Sequence, residues 1–216
     1  TLFPYTTLFR SCYLIVWRLR MTYESFYGKY YDRLRAAEKM LLHMVSEFEK
    51  IGGGIDGESK VAYCKSRIKS PDSMTQKLRK RGIKVCAESA VKEVRDAVGI
   101  RIICSFSDDI YKIADWISQQ NVIEVRKIKD YIAYPKENGY RSYHMILYLK
   151  PFDFCAEVQI RTIALDFWAS LEHQMKYKHN IKNEKLIREE LKRCADEIAS
   201  VDLSMQTIKD LIYTDS

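Results

Sequence analysis

The sequence predicts an α+β (α/β) domain, a mixed β-sheet flanked by helices, continued by one long C-terminal helix. Three observations predict it. Val98–Phe106 (VGIRIICSF) is almost wholly apolar, the look of a strand buried on both faces. Cys155–Arg161 alternates, with Ala156, Val158 and Ile160 on one face and Cys155, Glu157, Gln159 and Arg161 on the other. Ile187, Leu191, Cys194, Ile198, Val201, Met205, Ile208 and Ile212 recur in alternating steps of four and three, a heptad seam.

The remaining elements follow in order. From Tyr23 to Ile51, Phe26, Tyr30, Leu34, Met40/Leu41 and Val45/Phe48 recur at helical spacing. Gly52-Gly53-Gly54 then reads as a flexible linker, since it lacks the Lys-Ser/Thr of a phosphate loop. Val61–Arg67 reads as a strand, and Pro71 opens a helix that runs to Arg81 and stops at Gly82. A short helix spans Glu88–Asp96. Ser107 is expected to cap a helix carrying Asp108 and Asp109 in its first turn. Val122–Ile132 and Arg141–Leu149 are further strands, with an Asn138-Gly139 turn signal between them. Ile163–Lys178 is a helix with Phe167, Leu171, Gln174 and Lys178 on one face. The C-terminal seam favours self-association over packing on its own domain.

With 216 residues, 47% apolar and 30% charged, the chain holds one good core plus an appended helix. A net charge of +7 and a pI near 9.0 imply anionic partners. The six cysteines are dispersed, with no C-x-x-C pair, which argues against a zinc site or a disulfide framework and for a reducing compartment. No apolar run approaches the roughly 18 residues that span a bilayer, so no membrane partner is expected and the setting is cytoplasmic. Residues 1–20 read as a non-native or artefactual segment, with Met21 as the expected start. Residues 21–55 form an N-terminal helix region, 56–180 the central domain, and 181–216 an oligomerisation helix.

Chemistry concentrates in three stretches. Arg67 and Lys69 precede a helix N-terminus, and Lys77, Arg79, Lys80 and Arg81 follow on that helix. Free amide N–H groups and cations there suit a phosphate. Arg101 interrupts the apolar strand and needs a partner or a cleft, because an unpaired buried charge is expensive. Asp96 at the strand's entrance is either that partner, a turn residue or a metal-ligating carboxylate. Lys136, Tyr140, Arg141 and His144 surround the Asn-Gly turn, an aromatic among cations that suits a nucleotide base and its phosphates.

Together the segments RIKSPDSMTQKLRKRG, DAVGIRIICSFSDDIY, KDYIAYPKENGYRSYH, AEVQIRT and DFWASLEHQMKYK resemble the nucleotidyltransferase-like synthetase domain of the RelA/SpoT-homology family. The resemblance is greatest to its stand-alone small alarmone synthetases, and it spans Tyr23 to the C-terminus. It implies a (p)ppGpp synthetase, a GTP pyrophosphokinase of stringent-response signalling. Such an enzyme transfers pyrophosphate from ATP to the 3′-hydroxyl of GTP or GDP and releases AMP. By this resemblance Arg67, Lys69, Ser73, Lys77 and Arg81 would hold ATP, with Arg101 stacked on the adenine. Lys129, Lys136, Asn138, Tyr140 and His144 would bind GTP or GDP, Tyr140 stacking on the guanine. Asp96 would ligate Mg²⁺, Glu157 would share the metal or activate the 3′-hydroxyl, and Gln159 would support it. No His-Asp dyad of the family's hydrolase domain occurs in the sequence, so synthetase activity alone is expected. The resemblance also implies a homotetramer built through the terminal helices, and a regulatory nucleotide or single-stranded RNA as a further partner.

Two departures stand out. The subtype signature reads Lys127-Ile128-Lys129-Asp130, with Lys where Arg is common, which keeps the charge and loses the bidentate fork. The Lys150–Asp153 connection is short. Two other readings stay open on the sequence: a catalytically silent nucleotide- or RNA-binding regulator of the same fold, and a nucleotidyltransferase-like enzyme with a different acceptor.

Overall fold

A five-stranded mixed sheet, ordered β1-β2-β5-β4-β3, organises the computed structural model, which describes residues 21–51, 59–176 and 183–214. The strands are β1 (Val61–Ile68), β2 (Val98–Cys104), β3 (Ile123–Asp130), β4 (Tyr143–Leu149) and β5 (Phe154–Thr162). β2 and β5 pair in parallel and the other neighbours are antiparallel. The parallel pair is reached by a long crossover through α5 (Ser107–Ser118), β3 and β4. Residues 1–20 and the Gly52–Gly54 linker lie outside the described residues.

The sheet has two unlike faces. Ile100, Ile102, Met145, Val158 and Ile160 point to a dry core shared with α2 (Tyr31–Ile51), α4 (Ala87–Lys92) and α5. Leu34, Leu41, Val91, Ile110 and Ile113 fill it from those helices. The other face carries Gly99, Arg101, Glu157, Gln159 and His144. It is roofed at one end by α6 (Ile163–Lys176) and open over the rest. β2 is therefore buried on one face along its length and on the other only near Ile103, which corrects the expectation of a fully enclosed strand.

Local differences from the sequence reading have identifiable causes. The N-terminal helix is interrupted: α1 (Tyr23–Tyr27) ends where Gly28 takes φ +50°, a 3₁₀ turn follows, and α2 begins at Tyr31. α3 (Pro71–Lys80) starts as expected, with Ser70 accepting from the Ser73 amide and Pro71 in the first turn. α4 stops at Lys92, and the turn after it delivers Asp96 to the start of β2. Ser107 does not cap α5: the N-cap is Phe106, and the Asp108 amide instead donates to the side-chain oxygen of Gln206, 3.1 Å away. α6 buries Leu165, Trp168 and Ala169, while Phe167 and Leu171 are exposed, so the face those two share is the outward one.

The C-terminal helix α7 (Glu184–Thr214) divides its seam. Leu191, Cys194 and Ile198 pack with Ala195 against Trp168 and Ala169 of α6. Further along, Val201, Met205, Ile208 and Ile212 are exposed. There the residues turned to the domain are Asp202, which accepts from Ser107 and Thr162, then Gln206 and Lys209. A helix advances 3.6 residues per turn and a heptad 3.5, a drift of about 20° per heptad. On the domain surface the contact line shifts one residue past the seam and rolls the apolar stripe outward.

Candidate active site

Strand register assembles the site before any side chain is considered. Lys65, Arg101, Gln159, His144 and Lys129 are successive cross-strand partners, one from each strand. Two residues along, Arg67, Gly99 and Glu157 form the adjacent row on the same face. Between these rows lies a cleft of about 240 Å³, lined by Lys65, Arg67, Gly99, Arg101, Glu157 and Gln159. Two segments far apart in sequence, β1–β2 and β5, thus meet around one opening.

On the α3 side the cations converge on Asp96. Its Oδ2 accepts from Lys69 Nζ at 2.8 Å and from Lys77 Nζ at 2.6 Å. Burial opposes ionisation of this carboxyl, but the hydrogen bonds from Lys69 and Lys77 prevail and hold it below the usual range. Its Oδ1 is buried with no partner. Arg67 is exposed on β1 beside the cleft, and Ser73 is exposed at the N-terminus of α3. Arg81 is not brought there; it is the C-cap of α3, roughly 12 Å further along the helix axis from Ser73 at 1.5 Å per residue.

Of the alternatives left open for Asp96, that of partner to Arg101 is not the one the structure shows. Arg101 Nη1 donates to Asp166 Oδ1 at 3.3 Å, and Asp96 is engaged by the lysines instead. Asp166 comes from the first turn of α6, so the sequence offered only a helix-start acid.

On the β4–β5 side the side chains form a near-closed ring. Arg161 Nη2 donates to the Tyr140 hydroxyl at 2.7 Å, and that hydroxyl lies 2.9 Å from His144 Nε2. His144 Nδ1 is 3.6 Å from Glu157 Oε1, Gln159 Nε2 donates to Glu157 Oε2 at 3.1 Å, and Arg161 Nη2 reaches Gln159 Oε1 at 3.4 Å. The direction of the hydrogen bond between the Tyr140 hydroxyl and His144 Nε2 follows the imidazole tautomer, and Nδ1 on the other side of the ring faces the Glu157 carboxylate. His144 and Gln159 thus approach Glu157 from both directions around the ring. Burial raises its carboxyl, but His144, then Gln159, outweigh it and leave the group below its ordinary value, against the opposing charge of Asp96.

The loop above this ring is fastened rather than free. Gly139 N donates to Lys136 O at 2.8 Å, and Asn138 is held by Glu172 of α6 at 3.1 Å. Gly139 has φ +85°, and a Cβ there would sit 2.5 Å from Ala195 Cβ on α7. Arg141 donates to Gly139 O, Ala195 O and the Asp196 carboxylate, tying the loop to α7. Lys136 Nζ stands 4.7 Å from the Tyr140 ring centroid and 4.6 Å from that of Tyr131. Lys129 is exposed on β3 beside His144. Sequence reasoning missed Tyr63, Asp166 and Gly99, and assigned no role to Arg161.

The carboxylates fit a divalent cation that substrate oxygens complete. Among the described residues no group of three or more His, Cys, Asp or Glu forms a metal cage. Asp96 offers a buried oxygen without a partner, and Glu157 is close enough to feel its charge. One or two carboxylates plus phosphate oxygens is the usual Mg²⁺ arrangement.

Known proteins resemble this chain in sequence and fold. Residues 66–182 match the region found in RelA/SpoT proteins. The chain is 41% identical to the GTP pyrophosphokinase YwaC of Bacillus subtilis over 162 residues, 72% of this chain and 77% of that protein. The small alarmone synthetase 1 of Bacillus subtilis, in a crystal structure bound to its product pppGpp, superposes with a TM-score of 0.71 at 28% identity, covering 85% of this chain and 98% of that one. The small alarmone synthetase 2 of the same organism gives 0.69 at 37% identity over 84% and 98%. The mixed sheet with its helices and C-terminal helix matches the small alarmone synthetase structures, and by the family region and the identity to YwaC this chain belongs to the RelA/SpoT family.

Proposed function

We propose that the protein is a (p)ppGpp synthetase that moves the β,γ-pyrophosphoryl group of ATP to the 3′-hydroxyl of GTP or GDP. The observation that carries this reading is the pair Asp96 and Glu157, two ionised carboxylates brought together between a cation-bearing helix start and an aromatic–histidine ring. A module that only bound anions would gain nothing from two carboxylates there, since they repel phosphate unless a metal intervenes.

Donor and acceptor take opposite sides. Arg67, Lys69, Ser73 and Lys77 neutralise the ATP phosphates, and Arg101 with Arg67 flanks the adenine across the Gly99 floor. Arg81 takes a peripheral part at the far end of α3. Tyr140, Lys136, Lys129, Asn138 and His144 hold the guanine nucleotide. Asp96 and Glu157 would hold Mg²⁺, which supplies charge neutralisation on the transferring phosphates. Glu157 accepts the proton of the 3′-hydroxyl as its oxygen bonds to the β-phosphorus; the bond from that phosphorus to the bridging α-oxygen breaks and AMP leaves. Gln159 and His144 keep Glu157 ionised and aimed.

Further parts of this reading concern the whole particle. The exposed stripe Val201, Met205, Ile208 and Ile212 serves a homotetramer built through the terminal helices. Synthesis occurs without hydrolysis of the product, and the +7 charge suits a regulatory nucleotide or single-stranded RNA as an additional partner. Among the described residues no helix is long and apolar enough to cross a membrane. Incubating the protein with ATP, Mg²⁺ and GDP or GTP is expected to give AMP and a 3′-pyrophosphorylated guanine nucleotide in equal amounts. Absence of both products would leave a nucleotide-binding regulator instead.

A further inference from the structure

Asp166 is a buried acid that none of the steps above uses. It sits in the first turn of α6 with 4% of its surface exposed, and three strands donate to it. Oδ1 accepts from Arg161 Nη1 of β5 at 2.9 Å and from Arg101 Nη1 of β2 at 3.3 Å, and Oδ2 accepts from the Tyr63 hydroxyl of β1 at 2.9 Å. The two guanidiniums it holds serve opposite sides of the cleft. Arg101 lines the cavity with Arg67, and one-third of its side chain stays exposed there. Arg161 is 3% exposed and turns its other nitrogen to the Tyr140 hydroxyl and Gln159 Oε1, with its Cζ 5.2 Å from the Tyr140 ring centroid.

Stability does not account for this cluster. Burying charges is costly, and replacing a buried ion pair by apolar groups is often neutral or stabilising. Arg161 Nε is also buried without a partner, a defect that a purely structural pair would be free to lose. What the cluster does is fix directions. One carboxylate sets the plane of the guanidinium on the ATP side and, through Arg161, the hydroxyl of the tyrosine on the guanine side. Both arginines share Oδ1, so a shift of either is felt by the other.

We infer that Asp166 is a positioning residue that aligns the two nucleotide sites with each other, through Arg101 toward ATP and through Arg161 and Tyr140 toward the acceptor. This rests on the functional reading above and adds a dependence that reading does not require: one acid, outside both sites, governs the affinity for both substrates. Loss of its charge leaves two guanidiniums to reorient, so pre-organisation falls on both sides at once.

Steady-state kinetics with each substrate varied at saturating partner test it, with AMP release as the signal. Asp166→Asn is expected to raise KM for ATP and for GDP by roughly tenfold each, the effect of losing a charge-assisted hydrogen bond on either side. A merely structural role would reduce the active fraction, lowering kcat with both KM values unchanged. Should Asp166→Asn fail to fold, Tyr63→Phe removes one oxygen from the same carboxylate's shell and is expected to raise both KM values about two- to fivefold. A folded Asp166→Asn or Tyr63→Phe that moves one KM alone, or neither, overturns the inference while wild-type activity upholds the functional reading. A wild type that releases no AMP overturns both.

Discussion

The two halves of the cleft are built in contrasting ways. The α3 half gathers Arg67, Lys69, Ser73 and Lys77 from one strand–turn–helix, and takes Arg101 from β2 and Asp96 from the turn before it. Its two lysines, Lys69 and Lys77, point at a single carboxylate oxygen of Asp96 and leave the other unpartnered. The β4–β5 half comes from one hairpin and the turn before it, a ring of Arg161, Tyr140, His144, Glu157 and Gln159 whose side chains hydrogen-bond mainly to one another. The comparison teaches a division of labour. One half supplies cations that a phosphate can re-partner, and the other supplies a fixed frame for the reacting hydroxyl.

If the ring is a pre-organised frame, its carboxylate is the most sensitive point in the molecule. Glu157→Gln keeps the size and the Gln159 contact while losing the proton acceptor. AMP release is expected to fall on the order of 10²–10⁴-fold with an unchanged fold by circular dichroism. Retention of wild-type turnover would move the acid–base role out of the ring.

The α3 half is probed by acid. Asp96 and Glu157 both have folded-state carboxyls held below their ordinary values. Their contribution to stability is therefore complete above the ordinary carboxylate range and is lost as pH falls through the depressed folded values. Asp96→Asn is expected to melt lower than wild type at neutral pH, because Lys69 and Lys77 lose their counter-ion. Its melting temperature should then change less than that of wild type over the acid window. Parallel acid profiles in thermal melts would show that the lysines do not depend on Asp96.

A smaller effect is expected where the frame meets α7. Gly139→Ala places a methyl group against Ala195 at a backbone angle that favours glycine. The loop must lift, with a loss of about 1–3 kcal/mol in unfolding experiments. KM for the guanine nucleotide should rise several-fold while KM for ATP stays level. Equal changes in both would show that the loop serves the whole cleft.

The α3 half was the more legible one. A Ser-Pro start, clustered lysines and a glycine stop announce α3 and its phosphate-binding end from sequence alone, because capping and charge are written within about ten residues. The alternation of Cys155–Arg161 likewise revealed the polar row that contains Glu157 and Gln159. Long-range partners left no such trace. Asp166 looked like any acid at a helix start, and Asp96 was the one partner weighed for Arg101 because it is near in sequence, whereas β5 brings α6 across the sheet. The heptad seam predicted a long helix correctly, but a pattern of period 3.5 on a helix of period 3.6 does not say which stretch faces the domain. Nor did alternation indicate that α6 would turn Phe167 and Leu171 outward, since both faces of that helix carry apolar residues.

The most direct test of the chemistry is the fate of the β-phosphorus. ATP labelled there, incubated with the protein, Mg²⁺ and GDP, should lose its label to the guanine nucleotide in step with AMP, one labelled product for each AMP formed. Label that remains in ADP while only the γ-phosphate moves would contradict pyrophosphoryl transfer and, with it, the account of the Asp96–Glu157 cleft.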